Sequence, residues 1–367
     1  MSIGRREFLK KTAGLVGTLV FPGQALAAAD NSMPARILGR TGVRVSVLGY
    51  GAMQCSDPST IRHGLDQGIT YIDTADCYMG GRNEKIVGRA VAGIRDRVFI
   101  ATKVHMGSEA RMRSSVDRSL SSLGVTSVDL MQLHGMSSRR QIEDKGVQRI
   151  LEAMKAEGKI RFAGVTTHSN QREVLEAVMA DGFYDTVLVA VNFRSPPALF
   201  EIIEKTARGG VGIIAMKTQS GGFPSGTYPE LNSHQSALRF VLERPGIHTA
   251  VPGMLSRRMV DENLAAVLRK GGLSDLFLLD AFRADLMGKA CAFCSGCIDQ
   301  CRYGVGGLDA VRIAMYLDGY KDLRLASERA VFASGLKVCA ECEGCTVECS
   351  QGIDIKTAAS TSAALLA

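Results

Sequence analysis

The chain has 367 residues, 46% of them hydrophobic and 22% charged, with no Trp. This length suits one large α/β domain plus a smaller one, and the composition is that of a soluble globular protein with enough apolar material for a full core. The net charge is +7, but no run of basic residues interleaves with aromatics, so nucleic-acid binding has little support.

The first element is an address. Residues 1–29 combine a basic stretch (Arg5, Arg6, Lys10, Lys11), a short apolar stretch ending at Phe21 and a small-residue segment over 25–29, the three parts of an export signal. The apolar stretch is short for a bilayer span. Arg5-Arg6 followed by Phe8-Leu9-Lys10 resembles a twin-arginine signal; an ordinary secretory signal or a membrane anchor is the alternative. No second apolar segment of spanning length follows, so the expectation is a mature protein soluble in the periplasm.

The next segment, Ala35–Val45, holds Gly-Arg-Thr-Gly between two short apolar runs and predicts a β-hairpin. Eight apolar strands are then expected at 46–53, 69–75, 98–104, 128–134, 161–168, 187–193, 211–217 and 248–254. Helical spacing of Leu, Ile, Met and Val fills the intervals, clearest at 108–123, 147–156, 235–243 and 256–268. Eight strand–helix units predict a (β/α)8 TIM barrel of the α/β class over residues 33–275. A doubly wound sheet is the alternative, but no Gly-x-Gly-x-x-Gly follows the first strand.

Barrel enzymes work at the C-terminal ends of their strands. Asp73, Lys103 and His134 stand at the ends of strands 2, 3 and 4, and Tyr78 lies in the loop after strand 2. A phenol ordinarily titrates near pH 10; an ammonium from Lys103, itself held by Asp73, would lower that value. Tyr78 would then pass a proton to a carbonyl oxygen that His134 orients. Singly these residues also read as a structural ion pair, a core histidine and a loop aromatic; their convergence at one mouth argues for chemistry.

The segments that carry these residues resemble the aldo-keto reductases: Arg36-Ile-Leu-Gly-Arg-Thr-Gly, Ile72-Asp-Thr-Ala-Asp-Cys-Tyr, Ala101-Thr-Lys and Leu130-Met-Gln-Leu-His-Gly. The resemblance runs from about residue 35 to 268 and includes Gly164-Val-Thr-Thr, Ile214-Ala-Met-Lys and Val251-Pro-Gly-Met. It implies a catalytic tetrad at Asp73, Tyr78, Lys103 and His134, with Tyr78 as general acid. It also implies NADP(H) binding, with contacts from Gly51, Thr166, Thr167, Lys217, Gln219, Gly221, Gly253, Met254, Ser256, Arg257, Glu262 and Asn263. Two departures stand out. Thr166 and Thr167 replace the usual Ser-Asn pair that holds the nicotinamide amide. The usual basic anchors for the 2′-phosphate fall on Gly253 and Met259, so no such anchor is evident; Arg257 and Arg258 lie nearby.

The tail, 276–367, holds eight of the ten cysteines as Cys291-x2-Cys294-x2-Cys297-x3-Cys301 and Cys339-x2-Cys342-x2-Cys345-x3-Cys349. This is the bacterial ferredoxin spacing, in which the fourth Cys of each run ligates the other cluster. It predicts two [4Fe–4S] clusters, one on Cys291, Cys294, Cys297 and Cys349, the other on Cys339, Cys342, Cys345 and Cys301. Zinc or disulfides are the alternatives. Arg302 and Ser350 replace the ferredoxin Pro. Helical stretches at 308–317 and 323–332 separate the runs, and 276–290 reads as a helical connection, so a mainly α-helical ferredoxin-like iron–sulfur domain is expected. Cys55 and Cys77 read as small packed residues.

Hydride transfer moves two electrons together, whereas a cluster passes them singly. The sequence therefore predicts an oxidoreductase acting on a small carbonyl or alcohol, its clusters serving a redox partner protein or quinone-linked carrier. An electron-transfer protein whose barrel is only a binding scaffold is the alternative. The twin-arginine reading is consistent, because clusters are acquired before export of a folded chain.

Overall fold

The computed structural model describes residues 32–365 except 225, 228–231, 331–332 and 334. The export-signal reading at 1–29 therefore lies outside the described residues. Two short strands, β1 (Ala35–Ile37) and β2 (Arg44–Ser46), pair antiparallel as the expected hairpin. Eight parallel strands follow: β3 (Tyr50–Gly51), β4 (Tyr71–Asp73), β5 (Phe99–Val104), β6 (Val128–Leu133), β7 (Ile160–Thr167), β8 (Thr186–Ala190), β9 (Gly212–Met216) and β10 (Thr249–Ala250). They pair in sequence order, and bridges Leu48 to Ala250 and Gly51 to Gly253 close the sheet into a barrel.

Parallel strands covered on both faces read as continuous apolar runs, and all six residues of β5 are buried. Tyr71, Phe99 and Phe162 stack inside the barrel, with successive ring centroids 5.3 and 6.2 Å apart. Below them Leu38 of the hairpin is fully buried. Arg40 ties the hairpin to the barrel floor by donating to the carbonyls of Gly182 and Gly209.

The first and last barrel strands are shorter than their apolar runs suggest. Ser46 belongs to the hairpin instead. At the seam Gly51 N–H donates to Pro252 O at 3.0 Å, and Pro252 has no N–H with which to extend the ladder. A Cβ on Gly51 would lie 2.7 Å from that same oxygen.

Helices fall close to the expected segments: Glu109–Leu123 begins at its cap Ser108, and Arg257–Leu268 at its cap Ser256. Helix Leu273–Asp285 leads the chain into the tail and packs on helix Ser233–Leu242. There Phe282 stacks on Phe193 at 5.6 Å and meets His234 edge-on at 5.4 Å. The rest of the tail forms helices Gly307–Asp318, Leu323–Ala330, Leu336–Glu341 and Ile355–Ala364, with no strand among its described residues. The described residues from Met33 onward form one compact unit, and the tail's apolar residues continue the barrel-interior cluster through Phe193, Met216 and Phe293. Among the described residues no helix is long and apolar enough to cross a membrane.

Candidate active site at the barrel mouth

Strand ends deliver the four expected side chains to one place. Lys103 is 1% exposed, and its Nζ donates to Asp73 Oδ1 at 2.5 Å and to the Thr74 carbonyl at 2.6 Å. Gln132 Nε2 donates to the other Asp73 oxygen at 2.9 Å. The ammonium lies 4.6 Å from the Tyr78 ring centroid, and the Tyr78 and His134 rings meet edge-on at 6.0 Å. Asp73, Tyr78 and His134 line a cavity of about 360 Å³, with Lys103 behind them. A larger open groove of about 1620 Å³ runs along the opposite end of the barrel and contains none of the four.

The proton on Tyr78 behaves differently from the expectation. Burial, then the Asp73 carboxylate and Cys77, raise its pKa well above the ordinary value, and Lys217 opposes this only in part. Burial is the largest of these effects, so the charged form of Tyr78 is disfavoured despite the nearby ammonium. Tyr78 therefore keeps its proton at neutral pH, which suits a donor. Burial, then Lys103, His105 and Arg312, push His134 well below the usual imidazole value, leaving a neutral ring that can donate one hydrogen bond.

The expected cofactor contacts divide into two groups. Gly51, Lys217, Gln219, Gly221 and Gly253 line the cavity. The others face elsewhere. Thr166 Oγ1 accepts from Gly135 N at 2.8 Å, and Thr167 Oγ1 donates to Ser169 O at 2.8 Å. Met254 is fully buried and its carbonyl accepts from Tyr50 Oη. Ser256 caps its helix. Arg257 reaches Ser59 Oγ at 3.5 Å, Glu262 pairs with Arg258, and Asn263 accepts from Gln219 at 2.8 Å.

The tail supplies residues that strand-end reasoning missed. Arg312 and Tyr316 lie one helical turn apart on Gly307–Asp318 and line the same cavity, with Tyr320 and Arg329 beside them. They form an i, i+4 pair on a helix that also carries Asp309 and Asp318, a spacing visible in the sequence, but nothing there says which barrel loop that face meets. Lys217 Nζ lies 3.5 Å from Tyr316 Oη and 4.9 Å from its ring centroid. Burial raises the Tyr316 pKa, but Lys217 and Arg312 outweigh it and bring it down to about 7. His105 and His168 complete the wall. Of the two isolated cysteines, Cys55 is packed as expected, at 1% exposure. Cys77 instead lines the cavity, its Sγ 3.7 Å from His134 Nδ1.

Donor atoms of Cys77, His105 and His134 lie within 4.8 Å of one another, close enough for a metal ion. Arg312 and Arg329 act on the same His134, however, so a divalent cation there would be repelled by two guanidinium groups.

None of the eight tail cysteines forms a disulfide. Burial, then the thiols of Cys297, Cys294 and Cys349, raise the Cys291 pKa to about 12. Cys301 is likewise an electrostatic neighbour of Cys339, with Cys342 and Cys345. Each fourth cysteine thus sits with the other run. Backbone N–H groups of Phe293 and Gln351 donate to Cys291 Sγ (3.2 Å) and Cys349 Sγ (3.4 Å). Left-handed Phe293 and Ser295 curl the first loop around its sulfurs.

Comparison with known proteins agrees with the barrel's geometry. Residues 48–236 match the Aldo/keto reductase family. The uncharacterized oxidoreductase YqkF of Bacillus subtilis (strain 168) is 26% identical over 282 residues, covering 64% of this chain and 91% of that protein. L-galactose dehydrogenase of Arabidopsis thaliana is 28% identical over 280 residues, covering 63% and 87%. A solved aldo-keto reductase of Klebsiella pneumoniae in complex with NADPH is 25% identical, with a TM-score of 0.58, covering 68% of this chain and 94% of that one. About a third of the present chain lies outside each of these matches. A buried Asp–Lys pair behind a Tyr and a His, at the open end of an eight-stranded parallel barrel, fits that family match, and the chain belongs to the aldo/keto reductase family.

Proposed function

We propose that this oxidoreductase interconverts a carbonyl and an alcohol in the barrel, with Tyr78 as the proton donor and acceptor, and that two [4Fe–4S] clusters in the tail link it to an electron-transfer partner. The observation that carries the reading is the mouth itself. A protonated Tyr78 and a neutral His134 face one cavity, with the Lys103–Asp73 pair fixed behind them. His134 donates a hydrogen bond to the carbonyl oxygen and orients it, and Tyr78 delivers its proton to the same oxygen. Lys103 stabilises the phenolate left behind, and Asp73 and Gln132 hold the ammonium in place.

NADP(H) fits this wall in part. Lys217, Gln219, Gly51 and Gly253 face the cavity, and Gly253 leaves open space where a Cβ would stand. When bound, the nicotinamide supplies the hydride equivalent that the barrel's own residues lack. The thiolate sets fit iron–sulfur clusters, since backbone N–H donors already point at their sulfurs; such clusters supply one-electron transfer. Cys291 is an electrostatic neighbour of Arg312, which lines the mouth, so one cysteine set lies beside the carbonyl site. Export through the twin-arginine route belongs to the same reading, because it carries chains that have already folded around their clusters.

Tyr78→Phe removes the proton donor and leaves the ring. Carbonyl turnover by the anaerobically purified protein should fall by at least about 100-fold, the usual share of general acid catalysis. Turnover at the wild-type rate would remove Tyr78 from the chemistry. Nucleotide analysis and EPR of the same preparation read out the cofactors separately.

A further inference from the structure

Building on the carbonyl-reductase reading, we propose that Arg312 and Lys217 bind a carboxylate of the substrate, so that the enzyme works on 2-oxo acids and their 2-hydroxy counterparts rather than on neutral carbonyls.

The argument is one of charge balance in a closed space. Arg312 is 7% exposed and lines the cavity. Its Nη2 donates to Tyr316 Oη at 3.4 Å, its Nη1 lies 3.6 Å from Asp309, and its Nε has no hydrogen-bond partner among the described residues. Asp309 is shared, since Arg329 pairs with it more closely, at 2.5 Å. Lys217 touches only the hydroxyl of Tyr316 and the faces of Tyr316 and Tyr320, and no carboxylate pairs with it among the described residues. The other charges cancel locally: Lys103 with Asp73, and Glu328 with Arg324. Neutral His134 and His168 offset nothing.

Lys217 therefore faces the cavity without a carboxylate partner among the described residues, and Arg312 has only a distant one that Arg329 shares. Burying such charges is costly, and an anion that completes their hydrogen bonds recovers that cost. A guanidinium with an unused N–H beside an ammonium suits a carboxylate. Lys217 is an electrostatic neighbour of both Tyr316 and Tyr78, so the anion sits close to the reacting carbonyl. That proximity favours a carboxylate on the adjacent carbon. In the reaction the carbonyl carbon accepts a hydride from a dihydronicotinamide and its oxygen takes the Tyr78 proton. The C=O π bond opens, the nicotinamide is oxidised, and the carboxylate stays unchanged on its cations.

Anionic oxygen could also come from the phosphates of a nucleotide, and the test separates the two sources. Calorimetry on the full anaerobic protein, with and without NADP+, compares oxamate, a 2-oxo acid analogue that cannot be reduced, with uncharged oxamide. Oxamate should bind about 10- to 100-fold more tightly, as lost charged hydrogen bonds imply. Arg312→Met and Lys217→Met, on separate elements, should each remove most of that difference, and Arg312→Lys should restore part of it. NADPH affinity, read by nucleotide fluorescence, should stay nearly unchanged in Arg312→Met. Equal binding of oxamate and oxamide overturns the proposal. So does a loss of NADPH affinity matching the loss of oxamate, which would assign the cations to phosphate. Oxamate binding that depends on Arg312 in a protein without carbonyl turnover would fault the reductase reading instead.

Discussion

Two tyrosines share one cavity in opposite electrostatic surroundings, and such a split separates roles. Tyr78, beside Asp73, holds its proton; Tyr316, beside Lys217 and Arg312, titrates near pH 7. Besides those two cations, Tyr316 faces Tyr320 from the following turn, Arg329 from Leu323–Ala330, and Tyr78 from the loop after β4. Below about pH 7 it is a neutral phenol and the cations are open to substrate; above that pH its phenolate occupies them. The kcat/KM of an anionic substrate should therefore fall as pH rises through about 7, approaching tenfold per pH unit. Tyr316→Phe keeps the ring and should flatten that limb in a pH–rate profile; a limb that persists in the variant assigns the titration to another group. Asp73, Lys103 and His134 were legible because a strand end fixes where its side chain emerges. The direction of the Tyr78 shift was not, because it is set first by how deeply the tertiary fold buries the phenol, and only then by Asp73 and Cys77.

At the scale of elements, the loop after β9 meets the tail helix at nearly zero clearance. A Cβ on Gly319 would stand 2.3 Å from Gly221 O and 2.8 Å from the Phe223 ring, and one on Gly221 would stand 2.6 Å from Met315 Sδ. Gly221 reads from sequence as a place where a cofactor approaches the backbone; in the structure the chain's own helix makes that approach. Gly319 has φ −86°, so alanine there strains no backbone and tests the contact alone. Gly319→Ala should cost about 1–3 kcal/mol, as overpacking does, measured by chemical denaturation. It should also weaken oxamate binding, because Arg312 and Tyr316 ride on the displaced helix. Unchanged stability and affinity would mean that this contact does not seat the helix. Eight strands and most helices could be read from periodicity, but helix-to-barrel docking could not, since it joins residues some hundred positions apart.

Across the whole molecule, the barrel follows its family and the tail makes the difference. The tail packs on the mouth through Arg194, which donates to Ala290 O and Gln351 Oε1, and through Gln171, which donates to Phe293 O. Arg312 and the first cysteine set thus arrive on one body, with Cys291 an electrostatic neighbour of Arg312. The ferredoxin spacing predicts a crossed pairing, in which the fourth cysteine of each run serves the other run's cluster, and Cys349 does neighbour Cys291, as Cys301 neighbours Cys339. The crossing has a test that separates it from pairing within each run. Cys349→Ser should lower iron by about half, and adding Cys291→Ser should take away little more, since both serve one cluster. Adding Cys345→Ser to Cys349→Ser should instead remove both clusters. If each run held its own cluster, Cys291→Ser with Cys349→Ser would be the pair that empties the protein, and iron analysis with EPR of the three variants decides between the two patterns.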